Sequence, residues 1–201
     1  MEITGIELQK KRDDRVNLYV DDEFYAGISV ELVMKEQLKK GMQISEERLQ
    51  EIIVDDEKNS AFAKAVKYLS SNLKTERQIR EYLRKKEYND VTIDFVIDKL
   101  LEYKYLDDEG YARAFILTYS GKYGKLKLIS ALKSKGVSDR VIDNVFSEEL
   151  EIVSNIQSVA EKYLKNKEKN QQTYLKLGRF LSSRGYEFDE IKSLINELKK
   201  D

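Results

Sequence analysis

Residues 132–137 read LKSKGV and run on into SDRVIDNVF. A variant of the phrase stands 49 residues earlier, LRKKEY from Leu83, and another 49 residues later, LSSRGY from Leu181. An interval used twice marks an internal repeat, which has to be settled before any motif is interpreted. In this register Ile79, Leu128 and Leu177 align, then Leu83, Leu132 and Leu181, then Tyr88, Val137 and Tyr186. Downstream, Ile93, Ile142 and Ile191 fall together, followed by Val96, Val145 and Leu194 and by Ile97, Phe146 and Ile195. These last columns are spaced i, i+3 and i+4, the apolar stripe of an amphipathic helix. Upstream, Ala63 and Ala112 align, with Ala160 one position out of register. Each unit therefore reads as three helices: one with small residues for close approach, one that ends in the phrase, and one that carries the aliphatic stripe.

The phrase itself is a helix stopping and the next one starting. Gly136 and Gly185 stand where a helix ends in the left-handed conformation, and Ser138 caps the helix that follows. Lys86, Lys135 and Arg184 fall in the last turn, where positive charge suits the negative end of the helix dipole. The first copy departs: Glu87 occupies the glycine position, and a left-handed non-glycine residue costs about 1–2 kcal/mol, so the turn either differs there or is strained. Thr75 with Gln78 makes a capping box for the second helix of the first unit. Asp107, with Asp108 and Glu109 behind it, starts the first helix of the second unit.

Before the repeats the text changes. In RVNLYVDDEFYAGI, Val16, Leu18 and Val20 alternate, Asp21-Asp22 interrupt, and Phe24-Tyr25-Ala26 resume, which predicts a β-hairpin to which ITGIEL could add a strand. A short helix over SVELVMKEQLKKG follows, capped by Ser29 and closed by Gly41. Ser45 caps another, which either runs on toward AFAKAVKYLSS or breaks near Asp55-Asp56. The expected divisions are an N-terminal extension over 1–57 and three-helix repeats over 58–108, 109–152 and 153–201.

Composition narrows the chemistry. The 201 residues contain no cysteine and no histidine. That removes thiol nucleophiles, disulfides, the commonest zinc ligands and the commonest proton shuttle. The start of the chain lacks the pattern of a secretory signal, and no run of eighteen apolar residues exists, so a cytoplasmic protein without a membrane span is expected. Acidic clusters at Asp21-Asp22-Glu23, Asp55-Asp56-Glu57 and Asp107-Asp108-Glu109 read as hairpin turn, linker and helix cap rather than as magnesium sites. GKYGK lacks the spacing of a phosphate loop and no strand precedes it. No cofactor, no metal and no enzymatic activity are expected.

The net charge of −1 hides an asymmetry. Residues 1–60 carry 9 basic and 15 acidic groups, whereas 111–146 carry 7 and 2. The basic island holds Arg113, Lys122, Lys125, Lys127, Lys133, Lys135 and Arg140, interleaved with Tyr119 and Tyr123. Its plain reading is a solvated helix face. Its functional reading is a surface for phosphates or for the acidic outside of a partner. The acidic N-terminal segment either meets a basic partner surface or keeps the hairpin edge soluble.

Order and spacing of these patterns resemble one family. The YLDD of Tyr105 to Asp108 with Tyr111-Ala112 behind it, and the segment from Gly124 to the KGV ending at Val137, are similar to the signatures of the RecX regulatory proteins of bacteria. The resemblance covers residues 61–201, and ITGIELQKKRDDRVNLYVDDEF looks like the extension of some members. One departure is YSGKYGK, where many members carry arginines before the glycine; lysine lacks the bidentate fork of guanidinium. The resemblance implies a mainly α chain, elongated and monomeric, with three tandem three-helix repeats behind a small α/β extension. It implies binding along the RecA filament and suppression of strand exchange, ATP hydrolysis and co-protease activity, in DNA repair, recombination and the SOS response. Contact with single- or double-stranded DNA would be weak. On this reading Arg113, Lys122, Tyr123, Lys125, Lys127, Lys133, Lys135 and Arg140 form the filament- or DNA-binding surface. The rival is a helical protein whose helix over 125–135 enters a DNA groove directly, which a net charge near zero disfavours.

Overall fold

A computed structural model of the chain describes residues 1–10, 12–148 and 155–200. The order is β1 (Ile3–Gln9), β2 (Arg12–Val20), β3 (Glu23–Ser29), α1 (Val30–Lys35), α2 (Glu46–Leu69), α3 (Glu76–Arg84), α4 (Asp90–Glu102), α5 (Asp108–Tyr119), α6 (Lys125–Ser134), α7 (Asp139–Glu148), α8 (Ile156–Leu164), α9 (Gln171–Ser183) and α10 (Phe188–Leu198). The chain is mainly helical, with a small sheet at its start. It divides into two compact units, residues 1–70 with 82–102, and residues 71–81 with 103–201.

In the first unit the hairpin is joined by ITGIEL, giving an antiparallel sheet in the order β1-β2-β3. Asp21 and Asp22 make the two-residue turn between β2 and β3 with φ of 49° and 68°, the conformation that matches the twist of the strands it joins. The alternation in β2 puts Val16, Leu18 and Val20 in a core with Ile3, Ile28, Leu32, Leu49 and Ile52. The helix after the sheet is shorter than SVELVMKEQLKKG suggests. Ser29 caps it, but it stops at Lys35, and Gln37 takes the left-handed turn at φ 52° well before Gly41.

Helix α2 runs unbroken through Asp55-Asp56, where the sequence allowed a break. That triplet is not a linker. Asp56 is buried, accepts the Ser29 N–H at 3.1 Å and pairs with Arg15 at 3.4 Å, while Glu57 takes hydrogen bonds from Asn89 and the Thr92 hydroxyl. Behind them α2 packs on α4, burying Ala61, Ala65, Ile93, Val96, Ile97 and Leu100.

In the second unit each repeat closes its own core. Ala112 and Ile116 of α5, Leu128 and Leu132 of α6 and Ile142 and Val145 of α7 form one; α8, α9 and α10 enclose Val159, Ala160, Leu177, Leu181, Ile191 and Leu194 in the other. The turn phrase closes in the same way three times. In each copy two N–H groups reach back to carbonyls of the ending helix: Glu87 to Arg84 and Tyr88 to Leu83, Gly136 to Lys133 and Val137 to Leu132, Gly185 to Ser182 and Tyr186 to Leu181. Glu87 does adopt the left-handed conformation, at φ 65°, so the strain is present.

The glycines have a second task. The turn at the end of α6 lies against the start of α3, and the turn at the end of α9 lies against the start of α6. Thr75, fully buried, donates its hydroxyl to the Lys135 carbonyl at 2.7 Å, while its oxygen also caps α3 at Gln78. Gly124 and Leu126 donate their N–H groups to the Arg184 and Gly185 carbonyls, both at 3.0 Å. Donors at the start of one middle helix, a hydroxyl before α3 and backbone amides at α6, thus meet carbonyls at the end of the next, which helix ends otherwise leave to water. A Cβ at Gly136 would overlap the Arg77 side chain, and a Cβ at Gly185 would overlap the backbone of Lys127.

Candidate functional site

The basic island lies in the second unit, and its charges are not equivalent. Arg113, on α5, is held by Glu109 at 2.6 Å and by Glu148, which keep its guanidinium firmly charged and neutralised at once. Lys133 pairs with Asp139 at 2.8 Å, which raises its pKa. Lys125 and Lys127 leave α6 on different sides, as residues two apart on a helix must: Lys125 stands 5.6 Å over the Phe146 ring, Lys127 5.2 Å over Tyr123. Lys122 and Arg140 are exposed and have no ion pair among the described residues. The eight residues therefore do not make one patch of free cations.

What the structure assembles instead is a band of aromatic rings covered by cations. Tyr111, Phe115, Tyr119 and Tyr123 follow one another every four residues along α5 and past its end, with centroid separations of 6.4, 4.6 and 6.3 Å. Lys135 lies over Phe115 at 5.7 Å. Arg184 bridges the repeats, 5.5 Å from Tyr123 and 5.1 Å from Phe180. Phe180 stacks on Tyr163, and Lys167 covers that ring. Cations held against ring faces keep part of their hydration and remain able to meet an anion. Sequence reading had Tyr119 and Tyr123 but missed Phe115, Phe180, Tyr163, Lys167 and Arg184. The four-residue aromatic spacing and the 49-residue equivalence of Lys135 with Arg184 were the available signals.

The acidic signature has a local cause too. Asp107 caps α5 by accepting the Gly110 N–H at 2.9 Å, and Asp108 reaches the start of α3, accepting the Glu76 N–H at 2.8 Å. Burial raises the Asp108 pKa, against the smaller effect of that hydrogen bond. Folded protein then holds the proton more tightly than unfolded chain, so the associated stability is present below the ordinary carboxylate pKa and is lost as pH rises through the raised value. Asp108→Asn keeps an oxygen for Glu76 and removes the charge. Thermal melts from about pH 4 to 7 should show the variant gaining on the parent as pH rises; a constant difference would exclude this role. Among the described residues no three His, Cys, Asp or Glu side chains are grouped to hold a metal ion.

Family models match most of the chain. The RecX N-terminal domain matches residues 1–45, and the first, second and third three-helix domains of RecX match 61–100, 107–145 and 149–195. The chain belongs to the RecX family. It is 37% identical to the regulatory protein RecX of Clostridium tetani over 206 residues, covering 98% of this chain and 94% of that one. Identity to the RecX of Clostridium acetobutylicum is also 37%, over 98% and 95% of the two chains. A crystal structure of a regulatory protein RecX superposes with a TM-score of 0.68 at 22% identity, covering 98% of each chain. RecX from Lactobacillus salivarius gives 0.66 at 21%, over 73% of this chain and 99% of that one. The sequence relatives are named regulatory proteins, and the two solved structures share the fold. No described helix is long and apolar enough to cross a membrane.

Proposed function

We propose that this chain is a cytoplasmic, monomeric regulator that binds the RecA nucleoprotein filament and restrains its ATPase, strand-exchange and co-protease activities without chemistry of its own. Membership of a family of regulatory proteins supports the reading, and the single observation that carries it is the cation-covered aromatic band running from α5 to α8 through Arg184. A surface of that kind meets phosphates and acidic side chains through many weak contacts, and it leaves the partner's geometry to set specificity. Filament occupancy then blocks access or damps the cooperative changes on which hydrolysis depends.

The rival reading, insertion of α6 into a DNA groove, is weakened by one feature. The amides at the start of α6, which would face a phosphate, are taken by the Arg184 and Gly185 carbonyls. RecA ATP hydrolysis on single-stranded DNA should fall as the protein is added, at concentrations where binding to bare DNA is weak. Unchanged hydrolysis would refute the regulatory reading, and tight binding to bare DNA would favour the rival.

A further inference from the structure

A groove of about 890 Å³ opens between α9 and α10, on the side of α9 away from Phe180. Its walls are Tyr174, Ile191 and Ile195, and at its mouth stand three apolar side chains that water should not favour: Phe188 is 76% exposed, Leu175 61% and Leu126 53%. Grouped exposure of large apolar residues around a concavity marks a contact surface rather than ordinary surface scatter. The charged residues lining the groove, Arg179, Lys192 and Lys199, are all basic, and none has an ion-pair partner among the described residues.

Gly178 lies within this groove, in the interior of α9, where glycine weakens a helix. Its backbone does not require glycine: no positive φ is present, and a Cβ would meet only Ile195 at 3.4 Å and Ile191 at 3.9 Å, ordinary contacts. Local packing therefore does not explain the residue, whereas an open groove does. We propose that this groove receives an amphipathic helix of a partner protein, its apolar stripe laid along Gly178 between α9 and α10 and its acidic flanks paired with Arg179, Lys192 and Lys199. A helix supplies anchors at i, i+3, i+4 and i+7, the spacing a groove between two helices accepts. Its flanks are acidic because every charge it meets is positive. The inference stands on the third repeat alone and does not depend on the filament reading.

The test uses the full chain and a labelled probe peptide of about 18 residues, with leucine at that spacing and glutamate on the flanks. The same peptide with lysine for glutamate is the control. The glutamate probe should bind at least about tenfold more tightly. Gly178→Leu, which fills the groove without breaking the helix, should weaken it by a similar factor. Lys192→Glu with Lys199→Glu, both at the surface, should transfer the preference to the lysine peptide. Gly178→Ala should raise the melting temperature by about 2–4 °C, since helix propensity improves. Equal binding of the two peptides, binding of neither, or binding indifferent to Gly178→Leu and to the charge reversal would overturn the proposal. So would a concentration-dependent dimer abolished by Gly178→Leu, which would give the groove to a second copy of the chain.

Discussion

Gly185→Ala is expected to cost about 3 kcal/mol. Two effects add. The residue sits at φ +86°, where alanine pays about 1–2 kcal/mol of backbone strain, and the new Cβ would overlap the Lys127 nitrogen and lie 2.9 Å from its Cα. Backbone atoms at the start of α6 cannot swing aside as a side chain can, so the third repeat must back away and give up the hydrogen bonds of Gly124 and Leu126 to Arg184 and Gly185. Gly136→Ala should cost about 2–3 kcal/mol, since φ is +88° there and the Arg77 Cβ, fixed to the backbone of α3, would lie 2.4 Å from the new methyl. Glu87→Gly should move stability by less than about 1 kcal/mol, relief of strain being offset by the greater freedom of glycine in the unfolded chain. Urea unfolding and hydrogen exchange decide the matter: Gly185→Ala should speed exchange in residues 155–200 first. Equal effects at positions 87, 136 and 185 would mean that the turns matter only locally.

The larger functional effect should come from the cations around Tyr123. The combined change Lys122→Glu, Lys127→Glu and Arg184→Glu should weaken binding to RecA-coated single-stranded DNA by at least about 30-fold. If those cations meet phosphates, the slope of log affinity against log salt should also become shallower by about 2. Lys133→Gln is the matched control, since Lys133 is already neutralised by Asp139 and its loss should alter affinity by less than about twofold. Lys127 donates to the Ser183 carbonyl at 3.2 Å, so a melting curve must accompany the triple variant, and Lys122→Glu alone supplies a form free of that contact. Full affinity with an unchanged salt slope in the triple variant would remove the band from the interface.

Much of this was legible in the sequence because helix starts and stops are local chemistry. Thr75 with Gln78, Asp107 with Gly110 and Ser138 with Val141 each make their cap within four residues. The 49-residue register placed the aliphatic stripes, and Ile93, Val96, Ile142 and Val145 are indeed buried. What escaped were contacts between distant residues. Nothing near Arg113 in sequence announces Glu148, and nothing near Asp56 announces Arg15. Gly41 offers an attractive stop signal for the helix over Val30–Lys35, but Gln37 takes the left-handed turn first, at its own cost. In sequence Arg184 is one more cation near a helix end, and only the docking of α9 against α6 brings it over Tyr123.

The exception at Glu87 bears on how the series of repeats is bounded. A joint needs a bare glycine turn on one side and the open start of a middle helix on the other, and the same pair of surfaces on two separate molecules would build an unending head-to-tail fibre. The turn at Glu87 presents a side chain where Gly136 and Gly185 present none, and the start of α9 is capped by Asn170, which accepts the Thr173 N–H at 2.9 Å. A left-handed glutamate thus stands in place of the bare turn on which both joints of the second unit depend.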